Sequence, residues 1–417
     1  MPVMDVSDIL HGLNEAQRDA VAAERGNLLV LAGAGSGKTR VLVHRIAWLI
    51  RAEGLSPHGL LAVTFTNKAA REMRGRIEHM LHIPTHGMWV GTFHGLAHRL
   101  LKTHWRDAKL PQNFQILDSD DQLRLVKRVC RELQLDESRW PPKQAQWYIN
   151  AQKDEGLRAA HIEAPLGDLY LKAMLQIYTA YEAACERGGL VDFAELLLRA
   201  HELWLHNPEL LAHYQGRFRQ VLVDEFQDTN TIQYAWLRVL AGDVIPVVAV
   251  GDDDQSIYGW RGAKIENIQR FGEDFAGTRV VRLEQNYRST QTILQAANGV
   301  IAHNSGRLGK ELWTAGDSGE PVQLYAGFNE QDEARFIVEQ LEAWTRDGHP
   351  RRSVAILYRS NAQSRVLEEA LLRAAVPYRI YGGQRFYERL EIRNAMAYLR
   401  LLVSRGDDAA MERVINT

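Results

Sequence analysis

The sequence predicts an α/β fold in which a parallel sheet is interrupted by a helical insertion and followed by a second, incomplete α/β domain. The first observation is alternation. Short apolar runs at 28–31, 61–65, 88–93, 221–223, 247–250 and 280–283 are separated by helical patterns, as buried parallel strands with crossover helices would be. The second is a change of texture between His94 and Phe218, where helix takes over, with breaks at Pro141-Pro142, Gly156, Pro165-Leu166-Gly167 and Gly188-Gly189. The third is the long stretch from Lys38 to Asp224, two residues that read as halves of one phosphate site. One sheet needs far less chain between them, so an inserted helical subdomain is inferred. After about Asn286, runs at 322–325, 354–358 and 378–381 predict further strands. Residues 332–344 predict a helix with Ala334, Ile337, Val338 and Leu341 on one face.

The first run leads into Ala32-Gly33-Ala34-Gly35-Ser36-Gly37-Lys38-Thr39. A buried strand, a glycine-rich turn and a helix opening on Lys-Thr form the architecture of a phosphate-binding P-loop. Glycines let backbone N–H groups converge on phosphate oxygens, and the helix start adds its positive dipole end. Lys38 can reach the β/γ-phosphates, and Thr39 offers a hydroxyl to Mg²⁺. Ala32 departs from the strict pattern, which has glycine there; the position tolerates a small side chain. An ordinary glycine-rich surface turn is the bland alternative, and the strand–turn–helix context weighs against it.

The run ending at Val223 meets Asp224-Glu225-Phe226-Gln227-Asp228. An aspartate at the carboxyl end of a buried strand is where P-loop enzymes hold Mg²⁺. Glu225 beside it is placed to accept a proton from an attacking water, which suits hydrolysis. Two acids alone would equally fit a solvated strand end; joined to the P-loop they read as catalytic.

Residues 250–262 leave a strand carrying Gln255, then Tyr258, Trp260 and Arg261. A neutral amide at Gln255 can sense a γ-phosphate. Exposed aromatics with an arginine on a glycine-rich loop make a sequence-tolerant stacking platform for bases, unless Trp260 packs beneath the loop instead. Thr64-Phe65-Thr66-Asn67-Lys68 offers an aromatic with hydroxyl and amide donors to a phosphate backbone, and Asn67-Lys68-Ala69-Ala70 lacks the aspartate of a guanine-reading loop. Arg288, opening the second domain, could be delivered to the γ-phosphate or form an interdomain salt bridge. His94 and His98 are spaced as a helical metal pair, without an adjacent glutamate or obvious third ligand. Trp140 to Trp147 reads as packing of the inserted helices, and 346–352 as a solvated loop.

Composition fits a soluble intracellular enzyme. The 417 residues are 46% hydrophobic and 24% charged, enough for two or more cores. No apolar run approaches the ~18 residues of a membrane span, and residues 1–5 lack the features of a signal peptide. Two cysteines, Cys130 and Cys185, are too few for a disulfide framework. The net charge of −2 announces no nucleic-acid partner, so a surface for one would be local.

Together these segments closely resemble superfamily 1 helicases of the UvrD/Rep/PcrA type, from Leu13 to the end of the chain. The resemblance rests on Leu13-Asn14-Glu15-Ala16-Gln17, the P-loop, Thr64 to Lys68, Val90-Gly91-Thr92-Phe93-His94-Gly95, and the segments 223–230, 250–262 and 285–290. Tyr358-Arg359-Ser360-Asn361 completes it. It implies two RecA-like domains, with 1–92 and 219–284 forming the first, 93–218 the inserted DNA-binding subdomain, 285–383 the second and 384–417 a further helical subdomain. It also implies an ATP site in which Gln17 reads adenine and Arg40 and Tyr287 flank the base. Ala32, Gly33, Ala34, Gly35, Ser36, Gly37 and Lys38 would hold phosphate, while Thr39 and Asp224 bind Mg²⁺. Glu225 would be the base, Gln255 the γ-phosphate sensor and Arg288 the arginine finger. Phe65, Asn67, His94, Phe193, Tyr258, Trp260, Arg261 and Arg359 would contact DNA.

The family's activity is ATP-driven 3′ to 5′ movement on single-stranded DNA with duplex unwinding, in mismatch and nucleotide-excision repair and in replication. The expected partners are single-stranded DNA, single-strand/duplex junctions and repair proteins, in the bacterial cytoplasm at the nucleoid. The family's last two motifs lie beyond Thr417, so 1–417 reads as the N-terminal portion of a longer protein or a truncated product. Alone it is expected to bind ATP and DNA, hydrolyse slowly and not unwind.

Overall fold

The computed structural model describes residues 6–381, 390–403 and 405–415. Six parallel strands form the main sheet: β1 (Leu28–Ala32), β2 (Leu60–Thr64), β3 (Trp89–Thr92), β6 (Gln220–Val223), β7 (Val247–Gly251) and β8 (Arg279–Leu283). Their order across the sheet is β3-β2-β6-β7-β1-β8. Two short strands, β4 (Gln115–Ile116) and β5 (Leu190–Val191), pair separately inside the insertion.

The four central strands are buried on both faces, which is why they read as continuous apolar runs rather than alternating ones. The two-residue period shows in how they divide. Leu29, Leu31, Leu61, Val63, Val221 and Val223 pack into one core with helices Phe93–Thr103, Phe193–His206 and Thr231–Ala241. Leu28, Val30, Leu60, Ala62, Leu222 and Val248 enter the other with helices Lys38–Arg51 and Asn67–Leu81. Because every strand runs the same way, Ala32, Thr64, Val223, Gly251 and Leu283 end on one rim of the sheet. The loops leaving that rim carry the candidate site, as in other open parallel sheets.

The insertion is helical. Pro142 opens the helix Pro142–Asp154, and Asp168 and Asp192 cap Leu169–Gly188 and Phe193–His206 by accepting backbone N–H groups. Gly189, at φ 60°, closes the helix before it in the left-handed conformation that favours glycine. Lys153, 1% exposed, donates to Asp192 at 2.7 Å and lies 3.0 Å from Glu195. Arg158 grips Glu182, Glu195 and Glu202 at 3.0, 2.8 and 2.6 Å. Buried and half-buried charges with several partners satisfied fix how these helices sit on one another.

Two sequence expectations, one in the insertion and one in the C-terminal segments, are corrected. Trp147 is 61% exposed with Lys143 over its ring, so it does not pack the inserted helices. The runs 322–325, 354–358 and 378–381 make no strand ladder among the described residues. Apolar β-branched and aromatic content marks a segment that suits a sheet, but a ladder needs a partner for its N–H and C=O groups. Here Leu324 and Leu357 are 98% and 92% exposed.

By packing, the chain divides into two compact units, Met1–Glu320 and Pro321–Thr417. The physical reason is that residues 285–320 fold onto the first sheet's rim. Asn286 donates to Ala34 O at 2.5 Å, Tyr287 N donates to Gly35 O at 3.0 Å, and Gln285 bridges Trp313. In the second unit, helices Glu330–Arg346 and Asn361–Arg373 pack through Val338, Leu341, Leu371 and Val376, and helices Leu390–Val403 and Asp408–Ile415 come after them.

Candidate nucleotide site and nucleic-acid groove

The turn after β1 is held from both sides. Gly33 N donates to Leu283 O at 3.0 Å, and the Ser36 hydroxyl donates to Gly33 O at 2.7 Å. Gly35 and Gly37 sit at φ 67° and 90°, where a side chain is strained. A Cβ on Gly35 would lie 2.6 Å from Asn286 Nδ2 and 2.8 Å from Arg288 Cβ, so Arg288 starts directly over the turn. The Arg288 side chain is exposed and has no ion-pair partner among the described residues.

Gln17 is buried beside the turn. Its Oε1 accepts from Asn14 N, and its Nε2 donates to Ser36 O at 2.8 Å. One N–H and one lone pair of the amide remain for a ligand. Asn14 also donates to the Tyr287 hydroxyl at 2.8 Å, which ties the exposed Tyr287 ring to the same corner. Arg40 is exposed on the first turn of its helix, next to Gly12.

Lys38 Nζ donates to Glu225 Oε2 at 3.1 Å, bringing the β1 and β6 strand ends together. Glu225 has a left-handed backbone, φ 50°, and its N–H donates to Asp224 Oδ1 at 3.0 Å. Burial, then the charge of Glu225, pushes Asp224 up to about 7, while Lys38 and a hydrogen bond from Thr39 pull it down. The same two causes raise Asp228 to about 6, and its Oδ1 is buried without a hydrogen-bond partner among the described residues. A crowded set of hard oxygens, one of them orphaned, suits Mg²⁺, which would neutralise the repulsion. Thr39 and Asp224 would hold it. Gln227 links this end to the next strand: its Nε2 donates to Glu225 Oε2 at 2.9 Å, and its Oε1 accepts from Asp252 N at 2.9 Å. Gln255 in turn donates to Asp252 Oδ2.

Farther along the rim, Phe65 stacks on Tyr258 with ring centroids 5.2 Å apart, and Arg261 lies 5.0 Å over Tyr258 and 4.6 Å over Trp260. Trp260 is 74% exposed, so it does not pack beneath the loop. Phe65, Tyr258 and Arg261 line a groove of about 330 Å³ with His94, Phe193, Asn150 and Asp154. His94 meets Phe193 edge-on at 6.2 Å, and burial lowers its pKa to about 4, so the ring is neutral at pH 7. Asn67 stands apart, lining a separate depression of about 680 Å³ with Arg74 and Arg99. Arg359 belongs to the second unit, where its N–H donates to Gln363 Oε1 at 2.9 Å.

A parallel sheet carrying a glycine-rich turn, a facing acidic strand end and a helical insertion has the layout of an α/β helicase domain. The chain belongs to the UvrD/REP helicase family: the UvrD/REP helicase N-terminal domain matches residues 13–276, and the UvrD-like helicase C-terminal domain matches 281–417. It is 65% identical over 414 residues to DNA helicase II of Escherichia coli, covering 99% of this chain and 57% of that protein. It is 59% identical to DNA helicase II of Haemophilus influenzae over 420 residues, again 57% of that protein. Against the ATP-dependent DNA helicase PcrA of Staphylococcus epidermidis it is 41% identical over 98% of this chain and 56% of the relative. The chain thus spans about half the length of the curated relatives it matches. Among the described residues no helix is long and apolar enough to cross a membrane.

Sequence reasoning missed Asn286, which ties the turn to the segment after β8, and the orphaned Asp228. It also missed Arg307 and Lys310, both bound to Asp254. The run Asp252-Asp253-Asp254 was a visible signal, but its partners lie far along the chain.

Proposed function

We propose that this chain is the ATP- and DNA-binding part of a motor built on RecA-like P-loop domains, which moves 3′ to 5′ on single-stranded DNA and opens duplex at junctions. The observation that carries this reading is one short loop. Gln255 is hydrogen-bonded into the acidic strand-end network, and Tyr258 and Trp260, three and five residues later, form the aromatic platform. A change at the nucleotide therefore has a short covalent path to the bases. The relatives named DNA helicase II and ATP-dependent DNA helicase PcrA support the substrate pair, and the family resemblance supports a repair role with repair-protein partners in the bacterial cytoplasm.

In this mechanism Lys38 and the turn's N–H groups hold the phosphates, and Glu225 takes the proton of the attacking water. Thr39 and Asp224 would hold Mg²⁺, which would supply charge neutralisation at the phosphates. Gln255 reports the γ-phosphate to the loop, and Arg288 stabilises charge on it. Bases stack on Tyr258 and Trp260 and pass the neutral His94–Phe193 pair, which offers ring faces rather than charge.

The test is ATP turnover with and without single-stranded DNA. Strong stimulation supports the motor; binding of both ligands with little turnover supports a binding module; turnover indifferent to DNA removes the nucleic-acid reading. Trp260→Ala should weaken single-strand affinity by ~1–3 kcal/mol, the worth of one base–aromatic stack. Because Trp260 is exposed, the melting temperature should hold. A lowered melting temperature with unchanged DNA affinity would reassign the ring to packing.

A further inference from the structure

Asp252, Asp253 and Asp254 converge as three metal-ligating carboxylates would. Their centre is taken by the chain's own cation. Lys310 Nζ, on a residue 8% exposed, lies 2.7, 2.6 and 2.9 Å from oxygens of the three aspartates. Arg307 adds a two-point grip on Asp254 at 2.7 and 2.8 Å, and Leu308 N donates to Asp253 Oδ2 at 2.8 Å. The same segment continues to Leu312, whose Cδ2 would lie 2.1 Å from a Cβ on Gly33, and to Trp313, whose carbonyl accepts from Asn286 N at 2.8 Å.

Asp252 is the connecting group. Its Oδ1 faces Lys310, and its Oδ2 accepts from the Gln255 amide. A carboxylate held by an ammonium on one oxygen has its other oxygen fixed in direction and in charge. That consumes one N–H of Gln255 and leaves its second N–H and its carbonyl oriented for a ligand. Without Lys310, two buried carboxylates and the half-buried Asp254 would face one another with Arg307 the one cation paired to them among the described residues; repulsion would rotate them or protonate one, and the amide would lose its anchor.

We propose that Lys310 is a positioning residue that sets the Gln255 amide for the γ-phosphate, acting through Asp252. This rests on the assignment of Gln255 as γ-phosphate sensor. The Lys310 ammonium is enclosed by its three aspartates, so its effect should fall on discrimination of the γ-phosphate and on kcat, not on binding of the rest of the nucleotide.

The experiment measures affinity for ADP and for a non-hydrolysable ATP analogue, together with DNA-stimulated kcat, in wild type, Lys310→Met, Lys310→Arg, Gln255→Ala and the Lys310→Met/Gln255→Ala pair. Lys310→Met should keep ADP affinity, lose the preference for the ATP analogue and lower kcat by up to ~10²-fold, the cost of a misplacement of ~1 Å. Lys310→Arg should recover part of both. The pair should be no worse than Gln255→Ala alone, because both changes remove one interaction. Additive losses in the pair, or equal losses of ADP and analogue with a lowered melting temperature, would reduce Lys310 to a structural ion pair. If Lys310→Met does not fold, Lys310→Met/Asp253→Asn removes a buried anion with the cation and is read in the same way. A wild type whose nucleotide preference is unaffected by Gln255→Ala would sink the sensor assignment, and the role of Lys310 with it. An intact Gln255 effect with a silent Lys310→Met sinks Lys310 alone.

Discussion

Lys38→Ala is expected to reduce ATP turnover by at least ~10²-fold, the scale on which a single positioned charge partner acts on a transition state. Lys38 is the only side-chain cation within reach of Glu225 among the described ion pairs, at 3.1 Å, and it opens the helix Lys38–Arg51 on the glycine turn. Removing it withdraws the positive charge that the phosphates would meet. It also removes one of the influences that hold the Asp224 pKa down, so the acidic strand end becomes harder to ionise. The fold itself should survive. The helix is anchored by Val41, Leu42, Ile46 and Leu49, all in the core, and not by its first residue. Lys38→Arg tests the geometry separately, since a planar fork does not replace a compact ammonium in a narrow turn. Near wild-type kcat in Lys38→Ala, at saturating ATP and with an unchanged melting temperature, would remove the phosphate-binding assignment.

The sheet of the first unit was legible because its strands, the four central ones buried on both faces, leave continuous apolar runs of three to six residues. All six main strands lie where those runs predict, within a residue or two at their ends. The breaks at Pro141-Pro142 and Gly188-Gly189 likewise fall at helix termini, where proline's fixed φ and glycine's left-handed conformation are local properties. The nucleotide end was legible because a glycine turn and an acidic strand end are each contiguous in sequence. Side-chain partnerships across the chain were not. Lys310 and its three aspartates, or Arg158 and its three glutamates, carry no periodicity and reveal themselves only when the backbone brings them together. The segments 322–325 and 354–358 failed for a related reason: strand propensity describes a surface that suits a sheet, whereas a strand exists only through its neighbour. A boundary at 284/285 follows a change of motif in the sequence. The compact units part at Glu320 because Asn286, Leu312 and Lys310 all reach back to the first sheet's rim, a matter of packing that motifs do not carry.

Glu225→Gln should separate chemistry from binding. The substitution keeps the length and shape of the side chain, so the amide oxygen it introduces can still accept from Lys38 and from the Gln227 amide, the two partners that Glu225 Oε2 has at 3.1 and 2.9 Å. The left-handed backbone at this position is held by bonds of its own main chain, Glu225 N donating to the Asp224 carboxylate and Glu225 O accepting from Asp228 N, both 3.0 Å, which do not involve the Glu225 side chain. What disappears is basicity. If Glu225 takes the proton of the attacking water, kcat should fall by ~10²–10⁴-fold, the usual contribution of a general base, with nucleotide and single-strand affinities retained. Stability should hold or rise. Asp224 and Asp228 are both pushed upward by burial and then by the negative charge of Glu225, and the variant removes that charge from between them. Paired measurements of kcat and of equilibrium ATP-analogue binding decide the matter. Loss of nucleotide affinity in step with turnover would mean that Glu225 serves to hold Lys38 and Gln227 in place, and the proton would need another acceptor. Asp228, whose buried Oδ1 has no hydrogen-bond partner among the described residues, is the next candidate for that role, tested by Asp228→Asn in the same two assays.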